Sequence, residues 1–260
     1  MKLNEHRKEV IPALSRGLDV LDLLAAAECD LGFVEIARRL EIPKPSLLRI
    51  LRTLTHKGFI VRNEATKKYR LGLKIIRIGN TVLGRIELRN LAREAMMELS
   101  RCTRETVELS TLDRDQLILI DQIESPEGIR LYQHIGSAYP YFHANAVGKV
   151  YLAYMNPEKR RKVLEKIGLP KITDYTITEM EKLEEDLEGV KARGYAFEDQ
   201  ELRLGLRRVA SPIFDRENKV IGCLSVAGPI FRIDHRRRDE IGEMVRLRAR
   251  ELSERIGAEV

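Results

Sequence analysis

The chain has 260 residues, of which 43% are apolar and 33% charged, and its formal net charge is +6. This length suggests one or two domains with real cores, and without a signal peptide or a long apolar run we expect a cytoplasmic protein rather than a secreted or membrane protein. Cys29, Cys102 and Cys223 form no CxxC pair and no metal-ligand spacing, so we expect reduced core cysteines without disulfides or a metal site.

The first predicted element is a helix close to the N-terminus. Residues 1–11 are polar, and we expect a flexible segment there. The helical spacing of the apolar residues that follow predicts a helix that packs behind the next two helices and completes a three-helix core. Its buried stripe is predicted to consist of Leu14, Leu18, Leu21 and Ala25.

Residues 33–56 predict two short helices separated by a tight break. Pro43 disfavours a helical conformation at the residue before it. Pro45 suits the first turn of the second helix, for which Ser46 is an alternative cap. One face of that helix is apolar and carries Leu47, Ile50, Leu51 and Leu54. The opposite face carries hydrogen-bonding side chains, namely Arg49, Arg52, Thr53 and His56, with Ser46 at its edge.

A short polar hairpin is predicted directly after these helices. Gly58 suits the end of the second helix, and two β-prone runs at 59–62 and 69–71 flank a polar turn. Two helices with a basic outer face, followed by such a hairpin, are typical of a winged helix-turn-helix domain that reads DNA. A helical hairpin with an ordinary solvated face is the alternative.

Positive charge is concentrated in this part of the chain. Residues 1–80 hold 16 Lys and Arg against 9 Asp and Glu, whereas the remaining residues hold 30 against 31. This distribution favours a nucleic-acid-binding module. Charge alone also allows a basic protein-binding or membrane-surface module, although no amphipathic run pairs an aromatic face with a lysine-rich one.

We predict a winged helix-turn-helix domain at residues 12–73, a linker helix at 74–89 and a second domain at 90–260. The linker carries Ile and Leu residues that are candidates for a dimer seam. Packing of these residues within the chain is the alternative.

In the second domain the apolar pattern changes from helical to alternating. Strands are predicted at 106–111, 117–121, 128–132, 195–198, 207–214 and 219–227. Helices are predicted at 144–155, 157–167, 178–193 and 235–256. Hairpins with helices between and after them indicate an α+β domain, an antiparallel sheet flanked by helices.

The strand near residue 225 has one face made of small side chains. Leu224 and Val226 point to one side of the sheet, and Cys223, Ser225 and Ala227 point to the other. Small side chains leave room for a bound ligand. Close packing of a helix against them is the alternative.

Several different short motifs are distributed along the whole chain. The first half contains Arg16-Gly17-Leu18, Pro43-Lys44-Pro45-Ser46, Arg49-Ile50-Leu51-Arg52-Thr53-Leu54, Lys57-Gly58-Phe59 and Tyr69-Arg70-Leu71-Gly72. The second half contains Gly136 with Pro140, 143–149 (HANAVGK), Arg193-Gly194-Tyr195, Asp199-Gln200-Glu201 with Gly205, Ala210-Ser211-Pro212 and 224–229 (LSVAGP). In this order and at these spacings, the sequence resembles the IclR-type bacterial transcriptional regulators.

This resemblance implies a winged helix-turn-helix domain followed by a GAF-like effector-binding domain, with no cofactor. It implies homodimers, which can pair into tetramers, bound in the major groove of palindromic operator DNA near metabolic genes. Most members are repressors, and activators and dual regulators also occur. We therefore expect an effector-responsive repressor.

We predict that exposed basic and hydroxyl side chains of the helix-turn-helix and the wing contact the DNA. Arg, Ser and Thr can bind base edges or phosphates, so Arg49 and Arg52 could also hold phosphate alone. The predicted DNA-binding residues are Arg38, Lys44, Ser46, Arg49, Arg52, Thr53, Lys67 and Lys68.

The resemblance also places an effector site in the second domain. Its predicted residues are His143, Asn145, Ala146, Gly148, Glu198, Arg208, Ser225 and Ala227. Two positions depart from the family, which frequently has Cys in place of Arg208, and Ser or Thr in place of Ala227. A partly buried Arg208 would favour a carboxylate effector, unless it pairs internally with Glu198 or points to solvent.

An enzyme, for example a hydrolase, is a distant alternative. Cys102, His143 and an Asp could form a nucleophile set. No Gly-rich phosphate loop, GxSxG motif or metal-ligand cluster accompanies them, so we expect no enzyme and instead expect Cys102 to be a packing residue.

Overall fold

The structure is a computed structural model that describes residues 11–259. The predicted flexible N-terminus at 1–11 therefore lies outside the described residues, except for Ile11. The chain separates into two compact units, one ending at Arg85 and the other beginning at Ile86. The described part of each unit has an apolar core of its own.

The first unit contains the predicted helix-turn-helix and hairpin. Its elements are α1 (Pro12–Ala26), α2 (Phe33–Arg39), α3 (Lys44–His56), β1 (Ile60–Arg62), β2 (Tyr69–Leu71) and α4 (Lys74–Gly84). Glu41 adopts a left-handed conformation, with φ of 51°, in the turn between α2 and α3. Pro43 is the N-cap of α3, and Ser46 makes no capping hydrogen bond. The two antiparallel strands β1 and β2 form the wing.

The buried face of α1 differs from the predicted one. Gly17, Val20 and Leu24 are buried, whereas Leu14 and Leu18 are 60% and 54% exposed. Both sets fit a helical period, and the period alone does not decide which of two apolar faces turns inward. The prediction that Leu14, Leu18 and Ala25 form the buried stripe is therefore wrong.

The second unit is a six-stranded antiparallel sheet between two layers of helices. The strands are β3 (Thr106–Asp113), β4 (Gln116–Ile123), β5 (Ala138–Tyr139), β6 (Ala196–Asp199), β7 (Leu206–Phe214) and β8 (Val220–Pro229). Their order in the sheet is β5-β4-β3-β8-β7-β6. The helices are α5 (Glu87–Thr103), α6 (Ala146–Tyr154), α7 (Pro157–Ile167), α8 (Met180–Arg193) and α9 (His235–Ile256). The predicted α+β class is confirmed.

Each face of this sheet is covered by its own helices. Helices α5 and α9 pack on the face that carries Leu224 and Val226. Helices α6 and α8 pack on the face that carries Cys223 and Ala210. The alternation predicted for β8 is confirmed, and its small-residue face lies on the side of α6.

Two details of the second unit correct the predictions. The strand predicted at 128–132 is absent, because the backbone there is held by side chains: the Thr106 hydroxyl donates to the Leu131 carbonyl at 2.9 Å. A short strand, β5, forms instead at Ala138–Tyr139, where no strand was predicted. The alternating pattern of β3 is typical of a half-buried strand, but its polar residues Thr106, Glu108 and Ser110 are buried as well, because helices cover both faces of the sheet.

The segment predicted as the linker, 74–89, is divided between two helices. Helix α4 ends at Gly84 and α5 begins at Glu87. Apolar side chains of α4 are exposed, among them Ile76 and Val82, each 58% exposed. None of the helices within residues 11–259 is long and apolar enough to cross a membrane.

Candidate functional site

Helix α3 presents a basic face to solvent. Leu47, Ile50 and Leu51 are buried in the core of the first unit, which fixes the rotation of the helix. The opposite side carries Arg49 and Arg52, both exposed. A helix with this arrangement can enter a major groove and present guanidinium groups to base edges.

The predicted DNA-binding residues all have solvent-accessible side chains. Ser46 is half-buried and the other seven are exposed. The Thr53 hydroxyl donates to the Arg49 carbonyl at 2.9 Å, so it is left as an acceptor for an incoming donor. The exposed residues are Arg38, Lys44, Arg49, Arg52, Thr53, Lys67 and Lys68.

The tip of the wing is shaped by Asn63. Its side-chain oxygen accepts hydrogen bonds from the amides of Ala65 and Thr66, at 2.9 and 3.1 Å. Lys67 donates to Glu64 at 3.1 Å, whereas Lys68 makes no ion pair with any residue that the structure describes. Lys68 is therefore the better placed of the two lysines to contact phosphate.

The predicted effector residues meet on one face of the sheet in the second unit. Glu198 of β6 is paired with Arg208 of β7, and Arg208 is paired with Ala227 of β8. Ser225, two residues before Ala227 and on the same face, is paired with Glu108 of β3. All five residues are at most 1% exposed.

Arg208 is the centre of this buried polar cluster. Its Nε donates to Glu108 at 3.0 Å and its Nη1 donates to Glu198 at 2.9 Å. Burial raises the pKa of Glu198, while the charge of Arg208 opposes this shift. The internal pairing that the sequence left open is thus the arrangement found. Arg208 is therefore not a free cation that would favour a carboxylate effector.

The N-terminus of α6 borders the same cluster. The Asn145 side chain caps the helix by accepting a hydrogen bond from the Val147 amide at 2.8 Å, so α6 begins two residues later than predicted. The Ala146 amide donates to Glu198 at 3.4 Å. Asn145 and Ala146 therefore join the four predicted residues on the strands.

Gly148 and His143 are buried, but their observed contacts are structural. A side chain at Gly148 would collide with the backbone of Phe142, so glycine allows a close approach. The Nε2 atom of His143 hydrogen bonds to the Pro170 carbonyl at 3.1 Å. Burial lowers the pKa of His143, which favours the neutral imidazole.

Several polar atoms of the cluster have no protein partner. One oxygen each of Glu108 and Glu198, the Ser225 hydroxyl and the Asn145 side-chain nitrogen make no hydrogen bond within the described residues. Buried polar groups are usually satisfied, so such atoms mark a place where a ligand or water binds. A cavity of about 550 Å³, within the range of small-molecule sites, is lined by Arg208 and Tyr139.

Glu108 and Tyr139 were missed by the sequence reasoning. The Arg208 guanidinium carbon lies 5.2 Å from the centre of the Tyr139 ring. Burial, reinforced by the charge of Glu108, raises the pKa of Tyr139 and keeps its hydroxyl protonated. Glu108 lies between Thr106 and Ser110 on one face of β3, and an alternating pattern alone does not show that this polar face is buried.

A second buried ionic cluster joins α6, α8 and the loop after β6. Lys149 is 1% exposed, and its Nζ lies 2.5 Å from Glu201 and 2.8 Å from Asp186. Burial raises the pKa of Glu201 to about 7, although Lys149 pulls it in the other direction. This cluster fixes α6 against α8, and the sequence reasoning did not single it out.

The residues of the hydrolase alternative do not form a nucleophile set. Cys102 and Cys29 are exposed, so the expectation of buried packing cysteines holds only for Cys223. His143 hydrogen bonds to a backbone carbonyl instead of a thiol. No group of three or more His, Cys, Asp or Glu side chains among residues 11–259 could hold a metal ion.

Comparisons with known proteins cover both units. The family model described as the IclR helix-turn-helix domain matches residues 13–64, and the one described as the bacterial transcriptional regulator IclR C-terminal domain matches 80–254. The HTH-type transcriptional regulator KdgR of Escherichia coli (strain K12) is 34% identical over 247 residues, 94% of each chain. The transcriptional repressor IclR of the same strain is 31% identical over 245 residues, 94% of this chain and 89% of that one. An IclR transcriptional regulator of Alicyclobacillus acidocaldarius has a crystal structure that matches with a TM-score of 0.84 and 28% identity, over 95% of this chain and 100% of that chain.

Proposed function

Because the chain belongs to the IclR family of bacterial transcriptional regulators, we propose that it acts as an effector-responsive repressor of metabolic genes in the cytoplasm. It is a DNA-binding transcriptional regulator, as its relatives are. Repression is supported by the relative IclR, whose name is that of a repressor. An activator or dual regulator with the same fold is the alternative, and a reporter gene behind the operator distinguishes them by the sign of the change.

The observation that carries the proposal is the exposed basic face of α3. Arg49 and Arg52 are exposed on the side of α3 opposite its buried residues, and Lys68 is an exposed residue of the wing that follows α3 in the sequence. We assign base contacts to Arg49 and Arg52 and phosphate contacts to Lys68, because bidentate guanidinium groups discriminate guanine and single ammonium groups do not.

Two exposed apolar surfaces support a homodimer. One surface, on α1, includes the exposed apolar residues Ile11, Leu14 and Leu18. The other lies on α4 and includes Ile76 and Val82. A second copy that covers them would present two α3 helices to successive major grooves, about 34–36 Å apart on a palindromic operator. A tetramer would be a pair of such dimers.

The cluster around Arg208 is the proposed effector site. Its unpartnered polar atoms and the adjoining cavity support a small organic molecule as the ligand. Regulation then follows from linkage: an effector that binds better to one arrangement of the dimer changes operator affinity by the ratio of its two affinities. The effector residues of this proposal are Asn145, Ala146, Glu198, Arg208, Ser225 and Ala227.

A gel shift with the intergenic DNA beside the gene tests the function. We expect retention of this DNA at moderate salt in the presence of competitor DNA, and release on addition of an effector. Arg52→Ala should abolish specific retention, whereas Arg236→Ala, which removes an exposed arginine of α9, should not. Uniform smearing with every duplex would support a basic interaction module instead.

A further inference from the structure

We propose that the effector is a neutral polyhydroxylated molecule, a sugar or polyol, that binds the buried face formed by Glu108, Glu198, Arg208, Ser225 and Asn145. This inference rests on the proposed function, because it assumes that this face is the effector site. It replaces the carboxylate that Arg208 suggested from the sequence alone.

The charge of the cluster argues against an anionic ligand. Two carboxylates, Glu108 and Glu198, surround the single cation Arg208, and all three side chains are at most 2% exposed. With both carboxylates ionised the cluster carries one excess negative charge. With Glu198 protonated, as its raised pKa favours, the cluster is neutral. In neither state does Arg208 have positive charge left for the carboxylate of a ligand, and an unpaired anion is costly to bury.

The unpartnered atoms show which hydrogen bonds a ligand must make. The free oxygen of the Glu108 carboxylate only accepts hydrogen bonds, the Asn145 nitrogen only donates, and the Ser225 hydroxyl and a protonated Glu198 can do both. A carboxylate group accepts but cannot donate, so it would leave the free oxygen of Glu108 unsatisfied. A molecule with several hydroxyl groups can donate to the glutamates and accept from Asn145 at the same time.

The adjoining cavity has a lining that fits the carbon face of such a molecule. Tyr132, Tyr139 and Tyr141 line it together with Arg208 and the exposed Arg203, and its volume is about 550 Å³. Aromatic rings combine an apolar face with a polar edge, which suits a ring that is apolar on its faces and hydroxylated around its rim. The cavity has room for a monosaccharide, and Arg208 connects it to the polar cluster, whose residues Glu108, Glu198, Ser225 and Asn145 lie outside its lining.

Matched pairs of neutral and acidic ligands test the ligand class on the full chain. The pairs are glycerol and glycerate, xylose and xylonate, glucose and gluconate, and galactose and galactonate, each tested by thermal shift and then by calorimetry. We expect the neutral member of at least one pair to raise the melting temperature and its acid not to. Preference for the acid in every pair that binds, or no shift with any neutral member, would overturn the proposal.

Two variants locate the binding. Ser225→Ala removes a hydroxyl that has no partner among residues 11–259, so the melting temperature of the free protein should not fall while sugar affinity falls several-fold. Glu108→Gln should lower sugar affinity at least about tenfold, since a hydrogen bond to a charged group is lost. Glu105→Gln is the matched control, because Glu105 is a buried, ion-paired carboxylate whose partner, Arg232, lies outside the cluster. Equal sugar affinity in the wild type and both cluster variants would place the ligand elsewhere and contradict the proposal.

Operator binding is measured separately, so the two proposals can fail separately. If an acid binds the protein and causes it to release the operator, the proposed function is supported and the proposed ligand class is wrong. If the protein shows no preference for any operator, the proposed function is wrong, whatever sugar it binds.

Discussion

Replacing Glu201 by Gln should change how the stability of the protein depends on pH. Glu201 is buried, its carboxylate lies 2.5 Å from the Lys149 ammonium, and burial raises its pKa from 4.5 to about 7. Between these two pH values the folded chain keeps a proton on Glu201 that the unfolded chain has released. The free energy of unfolding therefore falls as pH rises through this window.

The size of the effect follows from the two pKa values. A tenfold difference in proton affinity corresponds to about 1.4 kcal/mol, so the full contribution of Glu201 is on the order of 3 kcal/mol. Lys149 does not contribute to the pH dependence of the free energy of unfolding in this window. Its ordinary pKa already lies far above the window, and the folded protein raises it further. Burial raises the pKa of Glu198 and lowers that of His143, and both groups are present in the wild type and in the variant.

Urea unfolding from pH 4.5 to 7.5, followed by circular dichroism, measures this difference. Between pH 4.5 and 7.5, we expect the free energy of unfolding of the wild type to fall by about 3 kcal/mol more than that of Glu201→Gln. Glu240→Gln is the control, because it removes an exposed carboxylate that has no ion pair among residues 11–259. The free energy of unfolding of this variant should change with pH as that of the wild type does. Parallel curves for wild type and Glu201→Gln would refute the reasoning.

Other predictions concern packing and DNA binding. Gly148→Ala should lower stability by about 1–3 kcal/mol in thermal melts, because the added methyl group meets the Phe142 backbone. Gly128→Ala is the control and should not lower stability, because the space around Gly128 is open. Equal melting temperatures of the two variants would contradict this prediction. Arg49→Ala should weaken the specific operator by about 1–3 kcal/mol more than other sequences in competition gel shifts. Lys68→Ala should lower the affinity for all DNA sequences alike and make this affinity depend less on salt concentration. Equal losses of affinity in Arg49→Ala and Lys68→Ala, with unchanged sequence preference, would contradict the assigned roles.

The first unit could be predicted from sequence because its signals are local. The helical spacing of Leu47, Ile50 and Leu51, the interruption at Pro43 and the polar turn of the wing each depend on neighbouring residues only. The prediction of which face of α1 is buried was wrong. It carries apolar residues on more than one face, and the choice of Val20 over Leu18 for the core depends on its partners.

The effector site was less predictable because its residues come together only through the sheet. Arg208 and Glu198 are close in sequence, and their pairing could be named as one possibility. Glu108 is 100 residues away from Arg208, and only the strand order β3-β8-β7 brings their side chains within hydrogen-bonding distance. The strand predicted at 128–132 is missing for a similar reason, because the side chains that bond to this backbone, Thr106 and Arg232, are distant in sequence.

Footprinting of the intergenic DNA with the purified chain tests the central claim most directly. If two copies present α3 to one duplex, protection should cover two half-sites whose centres lie about 10–10.5 base pairs, or a multiple of this, apart. It should disappear with Arg52→Ala and persist with Arg236→Ala. Protection that is absent, limited to a single half-site, or unchanged in Arg52→Ala would contradict the account.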